Sequence, residues 1–241
     1  MPKPGEGPRS RAKELRWDLV RKNSTLIAAA SFGFLAIAAA AVLLIYFLLG
    51  HSAALAVAGG GVVASAWGIW EFIDRESGAK NWSAGAGAEA LTAGALSKLE
   101  AHEAIHGLKF FGFDVDHVVV GISGVAAVET KWTTRDLDLS APEKDRRLHD
   151  DISAAVRGAK KIETLLRGSA RLEIAVRPVL VLWGAGIRDV PGGTTSINGV
   201  QILVGRQKQE WLASAFIDMD LDEWDMRAAL EALTFREQDQ I

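Results

Sequence analysis

The sequence contains no cysteine. Disulfide bonds and thiolate metal sites are therefore excluded, and the composition suits a reducing compartment. The chain also has little net charge, −3 at neutral pH. From Arg75 onward acidic residues outnumber basic ones, whereas a protein that holds nucleic acid mainly by its overall charge would be basic.

Charge is also absent from one long N-terminal stretch. No Asp, Glu, Lys or Arg occurs between Lys22 and Glu71. A bilayer core needs roughly 20 apolar residues for each helical span, so this stretch has room for two. We predict transmembrane helices at about 24–49 and 53–73, joined by a turn at 50–52. A signal peptide is excluded. The apolar core of a signal peptide is shorter than the first apolar segment here, and a second apolar segment does not follow it directly.

Basic residues flank this stretch and predict its orientation. The residues that precede the first span are Lys3, Arg9, Arg11, Lys13, Arg16, Arg21 and Lys22. Arg75 and Lys80 follow the second span, and the turn carries no basic residue. The positive-inside rule places both termini in the cytoplasm, with residues 1–23 as a basic cytoplasmic segment of a two-span protein of the cell membrane.

The rest of the chain alternates helical and strand patterns, which predicts a mixed α/β domain. We expect a linker at 74–84, a domain at 85–216 and a C-terminal helix within 217–241. The predicted elements are a helix at 85–100, an edge strand at 103–111, a hairpin of 116–122 and 125–132, a helix at 142–167, strands at 172–183 and 200–204, and helices at 207–216 and 222–236. Pro178 interrupts the fourth strand and indicates a bend or a sheet edge.

The predicted hairpin brings charged residues together. With Ser123 and Gly124 as its turn, Val118 pairs with Glu129 and Asp116 with Lys131. These three charged side chains then project from one end of the hairpin, where carboxylate oxygens suit Mg²⁺ or Mn²⁺. The alternative is a structural Asp116–Lys131 ion pair with Glu129 as a solvated strand end.

Several short motifs together resemble a known family. They are Gly87-Ala88-Glu89 at a helix start, Asp114 to Gly121, Ser123-Gly124-Val125 and Val128-Glu129-Thr130-Lys131. This arrangement is similar to the nuclease-related domain (NERD) family of the PD-(D/E)xK nuclease superfamily, over about Gly85 to Ala213. The implied fold is a mixed sheet flanked by helices, here behind an N-terminal membrane hairpin.

The resemblance implies a role for each charged position. Glu89, Asp116, Glu129 and Lys131 are the expected catalytic residues. Asp116 and Glu129, with the backbone carbonyl of Thr130, are the expected ligands of Mg²⁺ or Mn²⁺. The implied activity is hydrolysis of phosphodiester bonds in nucleic acid, DNA above all, by a protein anchored in the lipid bilayer. The oligomeric state stays open.

Two positions depart from the family pattern. Trp132 stands where the family often has Asn, and Ala154 stands where a Gln is frequent. These departures leave open a catalytically silent module that binds nucleic acid or a protein partner at the inner membrane surface.

A second metal motif competes with this reading. His102-Glu103-Ala104-Ile105-His106 matches the HExxH pattern of zinc peptidases. That chemistry requires one helical face and a third ligand, whereas this segment is predicted to be an edge strand. The candidate third ligands, His117 and His149, fit no known spacing.

The segment from Lys144 to Arg171 carries twice as many basic as acidic residues. It is consistent with a surface that follows a phosphate backbone, or with an ordinary solvated helix face.

Overall fold

The structure is a computed structural model that describes residues 6–49, 51–100, 102–110, 113–122, 124–212 and 221–238. The chain divides into two compact units, one formed by Pro8–Ser83 and the other containing Ala84–Ile241.

The N-terminal unit is helical. Helix α1 spans Glu6–Lys22, α2 spans Ser24–Leu49 and α3 spans His51–Glu76. Helix α1 was not predicted, because its charge-rich sequence shows no apolar stripe. Gly50, in the predicted turn, lies outside the described residues.

One helix in the described part of the chain is long and apolar enough to cross a membrane. The qualifying segment is Ile27–Leu48 in α2, and none of it is buried. Phe32, for example, is 78% exposed. The second span and the cytoplasmic position of both termini remain predictions.

Contacts within this unit join α1 to the end of α3. Arg16 Nε donates to Asp74 Oδ1 at 2.7 Å, and the guanidinium lies 5.0 Å from the ring centroid of Trp70. A methyl group on Gly61 would lie 3.8 Å from Cβ of Ala38, so α2 and α3 approach closely where both carry small residues.

The C-terminal unit is built on a six-stranded mixed sheet. Its elements, with α4 beginning in the preceding unit, are α4 (Ala79–Leu96), β1 (His102–Phe110), β2 (Phe113–Gly121), β3 (Gly124–Trp132), α5 (Arg146–Ala170), β4 (Val176–Trp183), β5 (Thr194–Ile197), β6 (Val200–Val204), α6 (Lys208–Trp211) and α7 (Glu223–Gln238). The strand order is β1-β2-β3-β4-β6-β5. Strands β3, β4 and β6 are parallel, and the other pairs are antiparallel.

Both faces of the sheet are covered, which explains why its central strands are mostly apolar. On one face α4 packs against alternate residues of β4 such as Val179 and Val181. On the other face α5 packs against Leu180 and Leu182. The predicted α/β architecture is confirmed for this unit.

The hairpin register differs from the predicted one by two residues. Val118 lies opposite Ala127 rather than Glu129, and Gly121 pairs with Gly124. The predicted turn residue Ser123 lies outside the described residues. Because the shift is an even number of residues, each side chain keeps its predicted face.

Pro178 lies in β4 without ending the sheet there. Strand β6 pairs with β4 only from Val179 onward, so the missing proline N–H interrupts no ladder on that side. Strand β5 was not predicted because its four residues, Thr194–Ile197, form too short a pattern. The predicted helix at 207–216 contains α6, and its positions 213–216 lie outside the described residues.

Two glycines allow the segments after β3 and β4 to run in contact. Thr133 N–H donates to Trp183 O at 2.8 Å, and Leu137 N–H donates to Gly186 O at 2.8 Å. A Cβ on Gly184, whose φ is +133°, would overlap the carbonyl oxygen of Thr133. This contact holds the exit of β3 close to the sheet.

We expect Gly184→Ala to destabilise the protein by about 2 kcal/mol or more, because the new methyl group must displace backbone atoms. Gly94→Ala is the matched control, since Gly94 lies in α4 with no atom within 4 Å of an added Cβ. That change should be neutral or stabilising by up to about 1 kcal/mol. Chemical unfolding of the full chain in detergent measures both, and equal stabilities for the two variants would contradict the close-contact argument.

Candidate active site

The predicted site lies where β2 and β3 part. Paired positions of the two strands extend only to His117 opposite Val128. Just beyond that point, Asp116 Oδ2 accepts a hydrogen bond from Thr130 N–H at 2.8 Å. A side chain therefore takes the place of the next backbone partner, and the Asp116 carboxylate is directed at the end of β3.

Glu129 and Lys131 meet at that end. They lie two apart on β3 and share a face, and Lys131 Nζ donates to Glu129 Oε1 at 2.5 Å. The Glu129 residue is only 8% exposed. The structural alternative was therefore wrong in its details, since Lys131 pairs with Glu129 rather than with Asp116, and Glu129 is buried rather than solvated.

Helix α4 is attached to the sheet by Thr92. This fully buried hydroxyl accepts hydrogen bonds from Thr130 Oγ1 at 3.1 Å and from Trp183 Nε1 at 2.8 Å. Glu89 lies one helical turn earlier on the same face of α4, so its charge acts on Asp116. Thr92 was not predicted to belong to the site. Its hydroxyl stands in an alanine-rich helix, three residues after Glu89, and this pattern could have indicated a polar contact.

The start of α5 is attached to the segment that follows β3. Arg135 Nη1 donates to both carboxyl oxygens of Asp145, at 2.7 and 2.6 Å. Asp145 in turn caps α5 by accepting from Leu148 N–H at 3.0 Å. The helix then places Asp151 where its charge acts on Lys131. Asp151 was also missed by sequence reasoning, although it borders the buried face of α5.

Negative charge exceeds positive charge in this cluster. Burial raises the pKa of Asp116 well above its usual value, and the carboxylates of Glu129 and Glu89 raise it further. Burial acts to lower the pKa of Lys131, but the neighbouring carboxylates outweigh it and the pKa is raised. Lys131 is thus a cation at neutral pH. Burial raises the pKa of Asp151 as well.

The donor set suits a divalent cation, since surplus carboxylate charge favours one and oxygen ligands are those that Mg²⁺ and Mn²⁺ prefer. Within the described ranges, however, no three or more His, Asp or Glu side chains are grouped closely enough to hold a metal ion. Glu89 therefore does not complete a three-carboxylate group with Asp116 and Glu129. The metal prediction rests on two carboxylates and the Thr130 carbonyl.

The HExxH segment forms part of β1, which contradicts the zinc-peptidase alternative. A strand rises about 3.3 Å per residue, so its two histidines stand roughly 13 Å apart along the chain. His102 Nδ1 contacts Glu100 O at 2.6 Å, whereas His106 Nδ1 lies 2.8 Å from His117 Nδ1 on β2. They cannot share one ion.

Comparison with known proteins identifies the segment that carries this site. Residues 84–183 match the nuclease-related domain (NERD) family. All four predicted catalytic residues lie inside the match, and the part of the resemblance after Trp183 lies outside it. No curated protein and no solved structure matches the chain.

The two departures from the NERD pattern lie near the cluster. Trp132 ends β3, is 41% exposed and lies opposite Trp183 of β4. Ala154 lies on α5, three residues after Asp151 and so on the same side of the helix. The Asp151 carboxylate therefore lies one helical turn before Ala154, the position at which the family often has Gln.

The buried histidine pair makes stability depend on pH. His117 is 1% exposed, and burial lowers its pKa to about 3, with His106 adding to the effect. The usual pKa of histidine is 6.5. Below that pH, His117 is protonated in the unfolded chain but stays neutral in the folded chain. The contribution of neutral His117 to the free energy of unfolding is therefore fully present above pH 6.5. It is lost progressively as the pH falls toward 3.

We expect the wild-type chain to lose about 2 kcal/mol more stability than His117→Gln between pH 7 and pH 5. Chemical unfolding at both pH values measures each loss. The comparison cancels the contribution of Asp116, whose raised pKa has the opposite sign and is common to both proteins. Parallel pH profiles would contradict a buried neutral His117.

Proposed function

We propose that the NERD segment is a divalent-metal-dependent nuclease that hydrolyses phosphodiester bonds in nucleic acid, with DNA the expected substrate. The observation that carries the proposal is the placement of Asp116 beside the Glu129–Lys131 pair, in the segment that matches the family. We assign this activity to a domain at 85–216, with 217–241 as a C-terminal segment.

Asp116 and Glu129, with the Thr130 carbonyl, would hold Mg²⁺ or Mn²⁺, which would supply Lewis-acid polarisation of the phosphate and a more acidic water. Lys131 is a cation held by Glu129, so it orients the attacking water and stabilises negative charge that develops on the phosphoryl oxygens. Glu89 is the fourth catalytic residue. It acts from α4, where its charge favours a cation beside Asp116.

A catalytically silent module is the second candidate. Trp132 and Ala154 favour it, because each replaces a polar residue frequent in the family. The grouping of only two carboxylates in the described part of the chain also favours it. Such a module would bind nucleic acid or a protein partner without turnover.

We expect the purified full chain to cleave DNA with Mg²⁺ or Mn²⁺, and Lys131→Ala to lower the rate by about 100-fold or more. Glu129→Gln should lower it similarly, since it removes a ligand and the partner of Lys131. Lys98→Ala, on an exposed residue just after α4, is the control and should leave the rate unchanged. Cleavage that survives both site substitutions would show that the site is misassigned, and absence of wild-type cleavage would favour the silent module.

We also propose that α2 and α3 form two membrane spans, with both ends of the pair on the cytoplasmic side. Two observations support this arrangement. The Arg16–Asp74 pair joins the segment before α2 to the end of α3, so these two ends lie on one side. Large apolar side chains on α3 are exposed, Val63 and Trp67 at 70% each, as expected for a surface that faces lipid.

The natural lack of cysteine allows a direct test of topology. A membrane-impermeant maleimide should label His51→Cys on intact cells, and should label Ser97→Cys only after the membrane is opened. Labelling of Ser97→Cys from outside, or protection of His51→Cys until the membrane is opened, would contradict two spans with cytoplasmic ends.

A further inference from the structure

Helix α5 presents a row of basic side chains whose charges are not neutralised. Arg157, Lys160 and Lys161 are exposed, and none of them has an ion pair within the described ranges of the chain. The acidic residue among them, Glu163, is engaged elsewhere, because its Oε1 accepts from Val176 N–H at 3.0 Å. The row is therefore a local basic surface on a domain that is acidic overall.

These cations line one shallow pocket. Its volume is about 390 Å³, and its remaining lining residues are Thr164 and Phe113 of β2. Positions 157, 160, 161 and 164 are three and four apart, so they share a helix face. The Phe113 ring packs beside Gly158, where it would lie 3.9 Å from an added Cβ. An aromatic ring therefore borders a concave basic surface.

We propose that this pocket, the basic pocket of α5, binds the phosphate backbone of single-stranded nucleic acid outside the reacting cluster. Lys160, Lys161 and Arg157 contact phosphates, and the face of Phe113 receives an unstacked base. Arg167 is exposed and extends the row by one turn beyond Thr164. This inference rests on the proposed function, since it supplies that site with a means of holding substrate.

The course of α5 links the pocket to the candidate active site. Asp151, whose charge acts on Lys131, precedes Arg157 by six residues, about 9 Å along the helix. A strand held in the pocket is therefore within a few nucleotides of the cluster. Asp145, Asp150 and Asp151 lie at the start of α5, and the row of cations lies further along the helix, so the pocket is removed from most of the negative charge of α5.

The chemistry of the pocket favours nucleic acid over a lipid surface. Membrane-binding helices insert large apolar side chains beside their cations. The outward positions from 157 to 168 carry Arg157, Lys160, Lys161, Thr164, Arg167 and Gly168, with no such side chain among them. Phe113 lines the pocket but is partly buried and packed against the core, so it is not a protruding anchor.

The test compares two triple variants of the full chain in nanodiscs of zwitterionic lipid. The first is Arg157→Gln, Lys160→Gln and Lys161→Gln. The control is Arg188→Gln, Lys98→Gln and Lys208→Gln, which removes the same residue types; of these, Arg188 pairs with exposed aspartates. Fluorescence anisotropy with a labelled 20-nucleotide DNA single strand, in EDTA to prevent cleavage, measures binding.

We expect the pocket variant to bind at least 10-fold more weakly at low salt, with the slope of log affinity against log salt reduced by about 2. The control should retain at least a third of wild-type affinity. Equal losses in the two variants, or no loss in the first, would overturn the proposal. So would a pocket variant that keeps DNA binding but loses binding to nanodiscs of anionic lipid.

The outcome is separable from that of the proposed function. A wild-type chain that binds the strand through the pocket but never cleaves it overturns the nuclease and leaves the pocket in place. A chain that cleaves DNA with Lys131 dependence, yet binds equally well without the three cations, overturns the pocket alone.

Discussion

The hydrogen bond from Thr130 N–H to the Asp116 carboxylate is the contact on which the candidate site depends. It lies at the end of regular pairing between β2 and β3, so one carboxyl group continues the sheet where the backbone ladder stops. The same N–H also offsets part of the raised pKa of Asp116. Because Thr130 lies between Glu129 and Lys131, fixing its backbone fixes the spacing of both side chains from Asp116. The Thr130 hydroxyl also donates to the Thr92 hydroxyl, and this hydrogen bond fixes α4 relative to the same end of β3.

The electrostatics of the cluster follow from this geometry. Carboxylates from β2, β3 and α5 act on one protonated lysine, and Glu89 of α4 acts on Asp116. Partial burial of the cluster limits screening by water. Burial is the main cause of the raised pKa values of Asp116 and Asp151, and neighbouring carboxylates raise them further. Such surplus negative charge costs stability unless it is neutralised, and perturbed carboxylates in a cluster are typical of functional sites. That is the physical case for a divalent cation here.

The sequence was enough to predict which hairpin side chains share a face, but it did not predict the residues that the helices bring to the site. Alternation along β2 and β3 was enough to put Asp116, Glu129 and Lys131 on one face, even though the register was two residues off. Face depends only on whether a shift is odd or even, whereas register depends on the turn. Thr92 and Asp151 were missed because they reach the site through helix docking. Docking depends on contacts between distant segments, such as Thr92 with Trp183, and no local pattern encodes them.

The acidic composition of the domain argues less against nucleic acid than the sequence alone implied. Affinity for a phosphate backbone depends on local charge, because salt screens charges more than about 10 Å apart. Asp145 caps the N-terminus of helix α5 and Asp151 lies in its second turn, whereas Arg157, Lys160 and Lys161 lie further along it. In the proposed nuclease, the acidic cluster would hold the metal ion and the basic pocket of α5 would hold the phosphate backbone. Net charge averages over both and conceals each of them.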